Sequence, residues 1–186
     1  NRTITTENQT DLLMIRHWSS GQNWYTLDST RVITDNKFLD TNSSDAEDTL
    51  PQANISSVGA TSVGITSSTW LNSAGSSYQM WMWRANGGTT SSGSGDLTST
   101  HQVDPSGGFS IVKAVGDGGS GDKTISHGLS ATPTCILAKN LDSAYNWDTY
   151  FSEGVTAGSG MRLNTNETPF TGRWGTISSS IFTAKD

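Results

Sequence analysis

The residues able to do chemistry in this chain are few and scattered. The histidines are His17, His101 and His127, and no two stand at the short spacing a metal site uses. His127-Gly128-Leu129 reads as a turn leading to Pro133 before it reads as a base or a ligand. Serine is so abundant that Ser/His/Asp sets can be composed on paper in many ways, and no G-x-S-x-G elbow singles one out. Carboxylates gather in two loops: Asp40, Asp45, Glu47 and Asp48 in one, Asp117 and Asp122 flanking Gly118 to Gly121 in the other. Asp117 and Asp122 are the weak metal candidates, oxygen-rich and glycine-permitted like a calcium loop but without its ordered ligand spacing. Solvated loop carboxylates are the plainer reading of both groups. Nothing marks out an acid pair for glycoside hydrolysis. The expectation is a protein that is not an enzyme and needs no cofactor.

Aromatic residues offer binding chemistry instead. Trp18, Tyr25 and Tyr145 fall at or near expected hairpin tips, where a ring can stack on a sugar face, and they are the ligand-binding candidates. Packing is the competing role, because large rings stabilise chiefly by burial. Trp24, Trp81, Trp83 and Trp147 lie in or beside strand-like apolar runs and are expected in cores.

The elements that must carry these residues come in two copies. Arg2-Thr3-Ile4-Thr5, Asp11 to Arg16 and Asn23-Trp24-Tyr25-Thr26 find counterparts in Lys123-Thr124-Ile125-Ser126, Thr134 to Lys139 and Asn146-Trp147-Asp148-Thr149. The register from Met14/Leu137 to Thr26/Thr149 holds without a gap, and Leu39 to Asn42 answers Leu163 to Asn166 after a slip. Each copy predicts a strand, a turn ending in Asn, and a return strand opened by Trp. Further strands are expected at Thr30 to Thr34, Lys37 to Leu39, Gly64 to Thr66, Tyr78 to Arg84, Phe109 to Val115, Lys123 to Ser126 and Ser180 to Thr183. Tyr78 to Trp83, the most apolar run, is expected at the centre of a core.

Serine and threonine exceed a quarter of the residues, hydrophobic residues are 32% and charged ones 15%. With seven tryptophans this composition predicts an all-β fold with polar turns rather than disorder. The predicted architecture is tandem antiparallel β-sandwich modules, jelly-roll or lectin-like, joined by a Gly/Ser-rich linker. The first repeat covers 1–86 without an opening strand, the linker 87–107, and the second repeat 108–186 without a closing strand. That incompleteness predicts a piece of a longer polypeptide, with an unpaired edge in the second repeat unless a neighbour covers it. A net charge of −6 and a pI near 4.9 lack the basic footprint of a nucleic-acid binder. No apolar run approaches the ~20 residues of a membrane helix. Cys135 stands alone in a strand-like run and is expected as a small buried hydrophobe.

The run Trp83 to Gly88, then Gly108-Phe109-Ser110-Ile111-Val112-Lys113, His127-Gly128-Leu129, Pro133, Ile136 to Asn140 and Asn146-Trp147 resembles a repeated domain family. That family is found in large virion proteins of marine bacteriophages and in related environmental sequences. The first copy departs from its pattern, with Glu7-Asn8-Gln9 in place of His-Gly-Leu and Arg16-His17 in place of Lys-Asn. The resemblance implies a lectin-like β-sandwich at the virion surface, in a tail fibre or other appendage. It implies partners that are like subunits, homotrimers being common among such fibres, other virion proteins and a bacterial surface glycan. Two other classes stay open: an extracellular bacterial adhesin built of the same modules, and, lowest, a polysaccharide depolymerase.

Overall fold

Alternation decides the first half. The computed structural model describes residues 1–19, 21–51, 54–66, 69–85, 91–93, 95–154, 156 and 158–186. It opens with β1 (Arg2–Thr5), β2 (Leu12–His17) and β3 (Tyr25–Asp28). In β2, Leu13 and Ile15 are fully buried while Leu12 and Met14 are half-exposed, the period-2 pattern of a strand with one face on a core. β4 (Lys37–Asp40), β5 (Asp48–Thr49), β6 (Ile55–Gly59), β7 (Ser62–Ile65) and β8 (Tyr78–Trp83) complete the half. They form a five-stranded sheet ordered β5-β4-β3-β2-β8 and a three-stranded sheet ordered β1-β7-β6. Leu13, Ile15, Tyr25, Leu27 and Phe38 from the larger sheet meet Ile55, Val63 and Ile65 from the smaller in one core. Burying each such aliphatic side chain stabilises the fold by about 1.5–3 kcal/mol.

The second half repeats this pairing. β9 (Ser91–Ser92), β10 (Ser99–Val103) and β11 (Ser110–Ala114) form a three-stranded sheet before it begins. Then β12 (Lys123–Ser126), β17 (Trp174–Ile177) and β18 (Ile181–Ala184) reproduce the small sheet in the order β12-β18-β17. β13 (Cys135–Ala138), β14 (Asp148–Phe151), β15 (Ser159–Arg162) and β16 (Phe170–Thr171) reproduce four strands of the large one. Leu12 opposes Asp28 and Met14 opposes Thr26, as Cys135 opposes Phe151 and Leu137 opposes Thr149. Leu97, Ile125, Trp174 and Phe182 form the second core, with Val112, Ala114, Ile136 and Tyr150 packed on it. The chain is thus all-β, with several antiparallel sheets of β-sandwich character. Among the described residues its helical elements are two single turns of 3-10 helix, Ser29–Arg31 and Ile33–Asp35.

Several expectations change. Thr30 to Thr34 is no strand: the Asp28 carboxylate accepts from the Thr30 and Arg31 N–H groups and caps the first 3-10 turn. Tyr78–Trp83 forms a strand, but at the sheet edge, where Trp81, Met82 and Trp83 stay exposed. Cys135 is exposed rather than buried, because it faces outward on β13. The Leu39–Asn42 copy is shifted: Tyr25 opposes Asp40 and Thr26 opposes Leu39, whereas Asp148 opposes Arg162 and Thr149 opposes Met161. Leu39 therefore answers Met161 and not Leu163. Within the expected linker of 87–107, residues 87–90 and 94 lie outside the described residues, as do residue 86 at the end of the expected first repeat and residue 20 in the first turn. Ser99–Val103, inside the expected linker, forms β10, whose Ser99, His101 and Gln102 are buried.

The halves touch through specific bonds. Ser29 Oγ donates to Gln102 Oε1, the Glu47 N–H to the Leu141 carbonyl at 2.8 Å, and Lys139 Nζ to the Ser44 carbonyl at 3.1 Å. Trp147 Nε1 donates to the Asp40 carbonyl at 2.8 Å.

Candidate functional site

β8 places Trp81 and Trp83 on the same face because alternate residues of a strand point the same way. Met14 opposes Trp81 and Leu12 opposes Trp83 across the β2–β8 ladder, so these four side chains share the outer face of the large sheet. Trp24, at the start of the return strand, lies against Trp81 with centroids 4.9 Å apart. Trp81 and Trp83 meet edge to face at 6.5 Å, and Trp83 stacks on Phe109 at 6.3 Å. The result is a continuous row, Trp24–Trp81–Trp83–Phe109, with Trp81 47% and Trp83 38% exposed. Apolar rings left open to water in a row mark a contact surface.

Beside this row a groove of about 700 Å³ separates the outer face of the large sheet from β11 and β13. Leu12, Met14 and Leu39 line one wall, and Ile111, Cys135 and Leu137 line the other. Its polar groups are largely occupied. Arg31 is buried, its Nε 2.6 Å from Asp28 and its Nη1 2.9 Å from Glu47. Burial pushes the Asp148 carboxyl above its ordinary range, against the opposing pull of Arg173 and Arg162. Burial likewise lowers the basicity of Lys139, with Asp45 acting the other way. The groove can hold an apolar or partly apolar ligand.

The sequence candidates separate in space. Trp18, 66% exposed just after β2, and Tyr145, 60% exposed in the β13–β14 turn, are open surface rings rather than packing residues. Tyr25 is not: it is 2% exposed, edge-on to Phe38 at 4.9 Å, with its hydroxyl donating to Gln22. Its position within β3 turns it into the core. Burial, with Asp40 nearby, pushes its phenol up to about 12. Asp117 is held by Lys123 at 2.8 Å and by the Gly119 N–H, and these donors keep its carboxyl below the usual range. Asp122 is exposed in the same loop. No group of three or more metal-ligating side chains occurs among the described residues. His127 accepts from the Leu129 N–H at Nδ1 and meets the Ser178 carbonyl through Nε2, which closes the His-Gly-Leu turn. The aromatic row was missed because each of its tryptophans sits among apolar neighbours in sequence. Only the edge position of β8 reveals that those neighbours do not cover them.

Paired antiparallel sheets of this kind define an all-β protein of β-sandwich character. The chain belongs to the DUF7483 family, a domain of unknown function, whose match runs over residues 1–184 and so spans both halves. No curated protein and no solved structure matches it.

Proposed function

We propose that this chain is a structural and recognition segment of a bacteriophage tail fibre or spike, exposed at the virion surface. In this reading it is built of tandem β-sandwich modules, associates with like subunits as a homotrimer and with other virion proteins, and contacts a bacterial surface glycan. The observation that carries the reading is the exposed row Trp24–Trp81–Trp83–Phe109 on a polar, Ser/Thr-rich surface. A row of rings, with no convergent set of catalytic groups among the described residues, suits binding better than turnover. The recurrence of one pairing pattern in both halves supports the modular part, since repeats lengthen a fibre by addition. Multivalent display then converts weak single contacts into avidity. The resemblance of the Gly108–Lys113 and His127–Leu129 motifs to phage virion proteins supplies the context.

The test is binding to immobilised bacterial surface polysaccharides, with the chain presented multivalently. The expected result is retention of the intact chain, a loss of about tenfold or more for Trp81→Ala with Trp83→Ala, and no release of reducing sugar. A tenfold loss corresponds to about 1.4 kcal/mol of binding free energy. Equal retention of the folded variant would remove the glycan reading, and sugar release would replace it with a depolymerase.

A further inference from the structure

The two halves differ at one edge. In the first, β2 lies between β3 and β8; in the second its counterpart β13 has β14 on one side and, among the described residues, no strand on the other. The registers are the same, so the comparison is residue by residue: Leu12, Leu13, Met14 and Ile15 answer Cys135, Ile136, Leu137 and Ala138. Leu13 and Ile15, beside β8, are fully buried, whereas Ile136 and Ala138 are only half-buried. Met14 is half-buried under the same cover, whereas Leu137 is 49% exposed. The Ser152 N–H donates to the Thr134 carbonyl. Antiparallel alternation therefore turns the backbone groups of Ile136 and Ala138 toward β14 and those of Cys135 and Leu137 toward the open edge. The groove described above runs along this edge and is lined by residues 133–139 on β13's side.

We propose that β13 is an acceptor for one more antiparallel strand of the kind formed by Tyr78–Trp83, supplied by another repeat of this type. The donor lies in this groove along the open edge of β13 and completes a five-stranded sheet like that of the first half. Backbone hydrogen bonds to Cys135 and Leu137 supply affinity, and large apolar side chains at alternate positions supply selectivity. The register follows from the first half, where Trp83 opposes Leu12 and Met82 opposes Leu13. A donor residue in the place of Trp83 thus opposes Cys135, on the same face. This inference goes beyond the glycan reading and stands or falls without it.

The probe is a dye-labelled peptide with the sequence of residues 76–85, titrated into the intact chain by fluorescence anisotropy, beside a scrambled peptide. Saturable binding is expected for the native order only. Leu137→Pro removes one edge-facing N–H while leaving the β14 ladder intact, and it should weaken binding about tenfold. A peptide with Trp83→Cys, activated as its thionitrobenzoate disulfide, should be attacked by the Cys135 thiolate, releasing thionitrobenzoate and leaving a mixed disulfide with the chain. The same peptide with Met82→Cys should not, because that side chain points to the other face. Should Leu137→Pro fail to fold, the contrast between these two peptides still decides. Absence of saturable binding, or equal capture of both cysteine peptides, overturns the proposal.

Discussion

The indole N–H of Trp147 reaches across the molecule to the backbone carbonyl of Asp40, 2.8 Å away, and so ties the mouth of the second hairpin to the end of β4. Trp147 is buried, and its backbone N–H is held in turn by Asn164 Oδ1. The ring is both a packing element and a cross-strut. Trp147→Phe keeps most of the apolar contact but leaves the Asp40 carbonyl without this donor. The expected cost is about 1–2 kcal/mol, read as a lower urea midpoint at an unchanged slope. A change in slope or a second transition would show instead that the strut couples the unfolding of the halves.

Arg31 is the residue whose loss should hurt most. Its guanidinium is buried between Asp28 and Glu47 and also donates to the Thr26 carbonyl at 3.2 Å. Arg31→Met leaves Asp28 buried without its cation and is expected to cost about 3–5 kcal/mol. Lys37, 3.3 Å from Glu47 on the exposed side, is expected to cost under about 1 kcal/mol when replaced by Ala, because water screens that pair. Chemical denaturation of the two variants side by side checks the ranking.

The elements most legible in the sequence were those whose pattern is local. The hairpins at Leu12–Asp28 and Cys135–Phe151, with Asn before Trp in each turn, could be read because period-2 apolar runs and turn residues act over a few positions. Ile55–Gly59, Ser99–Val103, Ser159–Arg162 and Trp174–Ile177 passed unread: their Ser, Gly and Gln content carries no strand signal, and long-range pairing makes them strands. Of the candidate site, the turn positions of Trp18 and Tyr145 were legible, but position alone left packing and exposure both open. The burial of Tyr25 and the exposure of Trp81 and Trp83 were not legible, since periodicity reports which residues share a face but not whether that face or edge is covered.

Tyr25 gives a spectroscopic handle on that buried face. Its phenol is pushed up to about 12 by burial and by Asp40, so the folded protein holds this proton where an unfolded chain, with a pKa near ~10, releases it. The contribution to stability is complete below pH ~10 and is lost as pH rises toward about 12. Absorbance at the tyrosinate band should show one ring titrating late in the native protein. Tyr25→Phe should remove that late step and flatten the alkaline fall in stability.

Gly128 and His101 form a tight steric constraint outside the hydrophobic cores. Gly128 has φ +73, a left-handed backbone that L side chains resist, and a Cβ there would overlap the imidazole of His101 and approach Val103 at 2.7 Å. Gly128→Ala is therefore expected to cost about 2–4 kcal/mol, one part from the backbone and one from overpacking. A double-mutant cycle with His101→Ala separates them: the second change should recover the overpacking part and leave the backbone part. The same pair carries an acid dependence. Burial, then the neighbouring His127, lowers the pKa of His101, so the folded state keeps the ring neutral while the unfolded chain protonates it near pH ~6.5. That contribution is present above this value and is lost as pH falls toward the lower native pKa. The stability of the intact chain should thus decline on mild acidification more steeply than that of His101→Ala. Parallel curves from pH 7 to 5 would locate the acid-sensitive group elsewhere.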